Sequence, residues 1–172
     1  MIYETLSILF DDKETEIVIR DATIWDAYQI ADLYIEMSKE VDILGTEVDN
    51  IAKERFLLYI LNQPIKIFVA ECENDKNDNK KDNKIIGFIM GYTTNSHYET
   101  LKKRGLCEGW YCKPEYRKYK IGIKLKNYLE KFFENNTKVI EFFCKYDDNI
   151  IKRYIKMGYK PLIVKMIKIN ER

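Results

Sequence analysis

Apolar residues recur along this chain with two periods, and the switches between them mark out its elements. Residues 16–20, EIVIR, are short and β-branched and read as a strand. The apolar stretch 5–10, TLSILF, reads as an extra strand before it, with DDKET as the turn between. From Thr23 to Lys39 the period becomes helical. Ile24, Ala27, Tyr28, Ala31, Tyr34 and Ile35 recur at that spacing with charges between them. Asp21 or Thr23 caps the start, and Asp26 complements the N-terminal dipole. A second helix fits 47–62, built on Ile51, Phe56 or Arg55, Leu58 and Leu61, and it stops before Pro64.

The middle of the chain returns to the strand period. IKIFVAECE (65–73) and KIIGFIMGYTT (84–94) are two strands separated by NDKNDNKKDN (74–83), a polar, low-complexity segment expected to be a flexible hairpin tip. Residues 95–105 form a loop, 106–113 a strand, 120–135 a helix and 138–144 a strand. The helix has an apolar face of Ile121, Leu125, Tyr128, Leu129 and Phe132. A last helix spans 147–157 with Ile150, Ile151, Tyr154 and Ile155, and YKPLIVKMIKI (159–169) supplies one or two closing strands. The order, with antiparallel strands in the middle and a β-α-β crossover after them, predicts an α+β, or mixed α/β, domain with helices covering one sheet.

Composition narrows this picture. With 172 residues, one domain over 1–172 is expected. The formal net charge of +1 gives no argument for nucleic acid or an anionic membrane. The apolar runs are far shorter than a membrane span and the N-terminus lacks a secretory pattern, so a cytoplasmic protein is the expectation. Cys72, Cys107, Cys112 and Cys144 lack Cys-x-x-Cys spacing and His97 is the only histidine, which argues against a metal site. Buried, reduced thiols are expected.

The candidate chemistry lies in EGWYCKPEYRKYKIGIKL, residues 108–125. A strand runs into Pro114, which ends ladder donation, and the chain then turns through cations into a helix. The first helical turn offers unpaired N–H groups and partial positive charge, a ready anion site. Arg117, Lys118 and Lys120 add full charges, and Gly122 removes a side chain where backbone must approach a ligand. These features describe a pyrophosphate site, although a solvated cationic helix start carries the same residues.

The segment resembles the acyl-CoA-binding motif of the GCN5-related N-acetyltransferases: a strand, Val-x-Pro-x-Tyr-Arg, then Arg/Gln-x-x-Gly-x-Gly/Ala. Pro114, Tyr116 and Arg117 match its core and Gly122 its last glycine, while Lys120 stands where the family has its first. IVIRDATIWDAYQIADL is similar to the family's opening strand and helix, and DDNIIKRYIKMGY (147–159) resembles its late motif through Asn149, Tyr154, Gly158 and Tyr159.

The resemblance implies a mostly antiparallel sheet of six to seven strands flanked by about four helices, and acetyl-CoA as acyl donor. By the same resemblance, backbone groups of Trp110, Tyr111 and Cys112 would pair with pantetheine, and Asn149 would contact that arm. The amides of Lys118, Tyr119, Lys120, Ile121, Gly122 and Ile123, with Arg117 opening the loop, would hold the pyrophosphate. Tyr154 would protonate the leaving thiolate, and Glu108 would take the amine proton, as in polyamine and aminoglycoside acetyltransferases, which CEGWYC resembles. The amine would attack directly in a ternary complex. Lys120 is expected at negative φ. The acceptor, a small-molecule or peptide amine, would meet a negative rim of Glu36, Glu40, Asp42, Glu47 and Asp49. Exposed sheet edges in this fold often pair, so a homodimer is compatible. An acyl-CoA-binding module without turnover is the alternative.

Overall fold

The chain opens on a hairpin whose turn is only two residues long. In the computed structural model, which describes residues 1–41, 50–72, 83–95, 103–135, 137–143 and 147–161, β1 (Ile2–Phe10) pairs antiparallel with β2 (Lys13–Asp21). Asp11 and Asp12 have φ of 48° and 61°. Two successive positive φ values match the turn to the twist of the strands, and aspartate tolerates them better than most residues. Both strands are therefore longer, and the turn shorter, than the polar DDKET segment indicates.

Next come α1 (Ala27–Val41), entered through a 3₁₀ turn at Ile24–Asp26, and α2 (Asn50–Asn62). β3 (Lys66–Cys72), β4 (Lys84–Asn95) and β5 (Lys103–Cys112) follow, then α3 (Ile121–Glu134), β6 (Val139–Phe142) and α4 (Asp148–Lys156). The six strands lie in chain order in one sheet, antiparallel except for the parallel pair β5·β6. That parallel step is the β-α-β crossover expected from the sequence, with α3 as its helix.

Two apolar layers form, one on each face. Ile121, Leu125, Leu129 and Phe133 of α3 pack with Ile17, Ile19, Phe68 and Ile86. Ile30, Ala31 and Leu33 of α1 and Phe56 of α2 pack with Val69, Ile85, Phe88 and Met90. Phe133 reaches the sheet because Gly91 and Gly105 lie under it: a Cβ at Gly105 would come within 2.5 Å of its ring.

The helical faces differ in places from those the spacing predicts. Ile24 and Tyr28 are exposed, and the buried stripe of α1 is Ala27, Ile30, Ala31 and Leu33. The 3₁₀ turn winds more tightly than an α-helix and puts Ile24 out of phase with the residues that follow. On α2, Leu58 and Leu61 are exposed while Phe56 is buried. Cys72, Cys107 and Cys112 are buried free thiols. His97, Cys144, the 74–83 tip except Asn83, and the closing strands beyond residue 161 fall outside the described residues.

The entry to α1 is held by a buried ionic cluster. Arg20 binds both carboxylate oxygens of Asp26, at 2.7 and 2.8 Å, and also Glu71, which Asn83 contacts from the other side. Asp26 also accepts from the Thr23 N–H at 2.7 Å, so Thr23 rather than Asp21 opens the helix. Burial pushes the Asp26 carboxyl up, but the bonds from Arg20 and Thr23 outweigh it and hold the group below the usual carboxylate range. Replacing Arg20 with methionine strands two buried carboxylates. The expected loss is about 3–5 kcal/mol of unfolding free energy, read from urea denaturation at neutral pH.

Candidate active site

β5 is paired along its whole length with β4 but only from Arg104 to Cys107 with β6. From Glu108 to Cys112 its other edge meets no strand among the described residues. The change coincides with a bulge: Met90 pairs with Gly109 and Gly91 with Cys107, leaving Glu108 as the extra residue. Beyond the bulge β5 shows its residues to both layers. Trp110 turns toward α3, where its indole N–H donates to the Gly122 carbonyl at 2.9 Å. Tyr111 turns toward α1, its hydroxyl 3.4 Å from Glu36.

The chain leaves β5 through a 3₁₀ turn, Pro114–Tyr119, and enters α3 through Lys120. Lys120 has φ 60° and ψ 21°, the left-handed region, which corrects the expectation of negative φ. Lys120 is at once the residue that closes the 3₁₀ turn and the one that opens α3, and a left-handed residue is a common way to close a helical turn. Its N–H bonds the Arg117 carbonyl at 3.0 Å, and its carbonyl receives the Lys124 N–H at 3.1 Å. The amides of Ile121, Gly122 and Ile123 therefore precede the first intrahelical bond and have no helical acceptor. The donor set is narrower than the sequence indicates, because i→i−3 bonding inside the 3₁₀ turn takes up the N–H groups of Lys118 and Tyr119. Tyr119 turns away and donates to the Leu9 carbonyl, while Lys118 lies over the Tyr119 ring.

A cleft of about 530 Å³ opens along this edge. Its floor is Trp110, Tyr111 and Cys112, and one end is Arg117, Lys120, Gly122 and Ile123. The C-terminal turn of α1 (Met37, Glu40, Val41) forms one wall, and α4 (Ile150, Arg153, Tyr154, Lys156, Met157) the other. Four basic side chains thus face one carboxylate, Glu40, across apolar walls. Arg117 is already engaged: it binds Glu40 through both terminal nitrogens at 2.8 and 2.6 Å, and its Nε donates to the Cys112 carbonyl at 2.9 Å. The hydrogen bonds from Arg117 hold the Glu40 carboxyl below its ordinary value. Lys113 reaches Glu36 at 3.2 Å. Two carboxylates expected on an acceptor rim, Glu36 and Glu40, instead tie α1 to the loop after β5, because the loop's cations lie within reach of them. Asp42, Glu47 and Asp49 lie outside the described residues.

Of the other predicted residues, only Tyr154 lines the cleft. Its ring is edge-on to Trp110 with centroids 6.1 Å apart, and packs against Phe142 and Tyr159. Asn149 is exposed in the first turn of α4, where its N–H bonds the capping Asp147, and it does not line the cleft. Glu108 is exposed and accepts a hydrogen bond from Tyr59 of α2. Sequence reasoning missed Met37, Val41, Ile150, Arg153, Lys156 and Met157 of the walls. Helical spacing from Tyr154 reaches two of them, Ile150 one turn before and Met157 three residues after it.

Residues 47–159, more than half of the chain, match the family model of the acetyltransferase (GNAT) family, and the chain belongs to that family. It is an acetyltransferase, and acetyl-CoA is the family's donor. Solved structures of similar fold include a possible acetyltransferase from Clostridium difficile 630. It is 20% identical, has a TM-score of 0.68, and the match covers 91% of this chain and 98% of that one. An aminoglycoside acetyltransferase from an uncultured soil metagenomic sample, in complex with sisomicin, is 16% identical, with a TM-score of 0.63 and coverage of 90% and 97%. An aminoglycoside N-acetyltransferase in complex with CoA is 13% identical, with a TM-score of 0.65 and coverage of 93% and 97%. No curated protein matches by sequence.

Two measurements check this geometry. Lys120→Gly removes a left-handed non-glycine residue, which costs about 1–2 kcal/mol, at a smaller cost in unfolded-state entropy, so a net gain of about 0.5–1 kcal/mol is expected in urea denaturation. Burial and Glu36 push the Tyr111 phenol up to about 12, and burial with neighbouring carboxylates raises Tyr59, Tyr92 and Tyr159 as well. Phenols raised on folding favour the native state below their unfolded value of 10.0, and that advantage is lost as pH rises through the folded values. Thermal melts are expected to fall steeply above about pH 10, with phenolate absorbance appearing together with unfolding.

Proposed function

We propose that this enzyme transfers an acetyl group from acetyl-CoA to a primary amine of a small molecule or peptide, by direct attack of the amine in a ternary complex. The observation that carries this reading is the open edge of β5 running between α1 and α4 into three helix amides without a helical acceptor. An extended amide-bearing arm can add to such an edge as a strand would, through the backbone of Trp110, Tyr111 and Cys112. The amides of Ile121, Gly122 and Ile123 suit a pyrophosphate, with Lys120, Arg153 and Lys156 adding charge at the same cleft. Backbone donors do not depend on the side chain at position 120, so lysine there is compatible with the site.

Acetyl-CoA supplies an acyl group activated on sulfur. The chain's own part is proton management and positioning. A protonated amine has no lone pair, so a base must take its proton before attack, and that role is assigned to Glu108, an exposed carboxylate at the bulge. The departing sulfur needs a proton, and Tyr154, on the cleft wall beside Trp110, has the hydroxyl to give it. The similarity to aminoglycoside acetyltransferases supports a cationic small molecule as acceptor. Cytoplasmic location is consistent with the described helices, none of which is long and apolar enough to cross a membrane.

The test is steady-state thiol release from acetyl-CoA with a panel of primary amines. Tyr154→Phe is expected to lower kcat by about 10²-fold with little change in KM for acetyl-CoA, and Glu108→Gln to lower kcat/KM for the amine by about as much. Wild-type turnover by both variants would overturn the assignment.

A further inference from the structure

Gly122 sits in the first turn of α3, over the floor of the cleft. A Cβ built on it would come within 3.3 Å of the Trp110 indole nitrogen and 3.7 Å of the Cys112 Cβ. The space that the glycine leaves is therefore filled from within the chain, by the indole of Trp110. This close approach lets the indole N–H donate to the Gly122 carbonyl at 2.9 Å. The same ring stands edge-on to Phe142 of β6 and Tyr154 of α4, with centroids 6.0 and 6.1 Å away. One half-buried side chain thus meets the start of α3, the end of β6 and the wall of the cleft.

The bond acts on a peptide group at the phosphate end of the cleft. The Gly122 carbonyl and the Ile123 N–H belong to one planar, trans unit and point to opposite sides of it. Fixing the carbonyl therefore fixes the direction of the N–H, which has no helical acceptor because the first intrahelical bond is that of Lys124 to Lys120. A carbonyl has two lone pairs, so Gly122 can accept from the indole and still take part in the helix. A donor on the carbonyl also polarises the amide and strengthens its N–H toward an anion. Helix ends fray when nothing holds them, and Lys120 makes no side-chain cap at this one. The holding side chain comes from β5 instead.

We infer that Trp110 is a positioning residue of the donor site: its indole holds the Gly122–Ile123 peptide so that the Ile123 N–H is directed at the pyrophosphate, and residue 122 is glycine because the indole must fit against it. The inference rests on the reading of the cleft as the acetyl-CoA site. It goes beyond the backbone pairing of Trp110 with pantetheine, since it gives the side chain a part of its own. It also changes the reason for the glycine. The sequence alone assigns the missing side chain to the approach of a ligand, whereas the contacts assign it to the approach of a tryptophan.

The test is calorimetric titration of the full chain with CoA and with pantetheine, which lacks the pyrophosphate. Trp110→Phe keeps a ring beside Tyr154 and loses the indole N–H. It is expected to weaken CoA about three- to tenfold and pantetheine by less than about twofold. In turnover it is expected to raise KM for acetyl-CoA while kcat stays within about twofold. Gly122→Ala is expected to weaken CoA about tenfold in the wild-type background but less than about twofold on Trp110→Leu, where the added methyl has room. Unchanged CoA affinity in Trp110→Phe, or an equal loss for CoA and pantetheine, would overturn the inference. So would an equal loss from Gly122→Ala in both backgrounds. A measurement on the wild-type protein stands beside the variants: by NMR the Trp110 indole N–H is expected to exchange with solvent more slowly than that of Trp25, which is 87% exposed. Equal exchange rates mean that the bond to Gly122 is not held, and the inference falls. A wild-type protein that binds no CoA would overturn the donor-site reading itself, whereas CoA binding and turnover without coupling between positions 110 and 122 overturns the inference alone.

Discussion

One strand, β5, has a partner along its whole length on one side and along only its first part on the other. A strand edge with no neighbour leaves backbone donors and acceptors unused, a state that folded proteins ordinarily cover or blunt. Here the parallel neighbour β6 stops at Phe142. The chain then turns into α4, which stands off from β5 and contacts it through the Tyr154 and Trp110 rings. The separation creates the cleft, and the bulge at Glu108 marks its beginning. The same displacement of one residue presents Glu108 outward on the side of α1 and α2. A single irregularity in strand pairing thus both opens the edge of β5 that borders the cleft and turns Glu108 toward Tyr59 of α2.

Charge is arranged on the two sides by different means. The loop after β5 is rich in cations, and α1 brings Glu36 and Glu40 to meet two of them, so that α1 is tied to the loop through Lys113 and Arg117. These pairs are partly exposed and contribute little stability, and one of them, Arg117 with Glu40, lies in the cleft lining. Lys120, Arg153 and Lys156 remain along the cleft as basic side chains. At the entry to α1 the pairing is buried, and Arg20 neutralises two carboxylates at once. That cluster fixes where α1 begins, and through α1 it fixes the position of the wall and of Tyr34.

Much of the fold was legible from periodicity. The strands from 65 to 113 and the helix after them lie within a few residues of the predicted limits, since long runs of β-branched residues and a helical apolar face admit few alternatives. The faces of α1 and α2 were less legible: Ile24, Tyr28, Leu58 and Leu61 fit the period and yet are exposed. A helix buried along only one narrow stripe leaves such apolar positions free to point outward, and a 3₁₀ entry shifts the phase. The loop Pro114–Ile123 was recognisable as an anion site from its proline, cations and single glycine. The backbone of Lys120 was not, because its left-handed φ follows from its place between the closing 3₁₀ turn and α3 rather than from the residue itself.

By itself, the sequence determined the α+β class, the β-α-β crossover, the family and the segment from Glu108 to Leu125 as the centre of its chemistry. These follow from local composition and the order of elements along the chain. Only the tertiary structure decided which edge of β5 is open, that Arg117 faces Glu40, that α1 and α4 wall one cleft, and that Tyr59 bonds Glu108. The physical reason is that each of these depends on the pairing register of β4 with β5 and on helix packing across the sheet. Those relations join residues far apart in the chain, whereas the hydrophobic period reports only on neighbours within a turn or a strand.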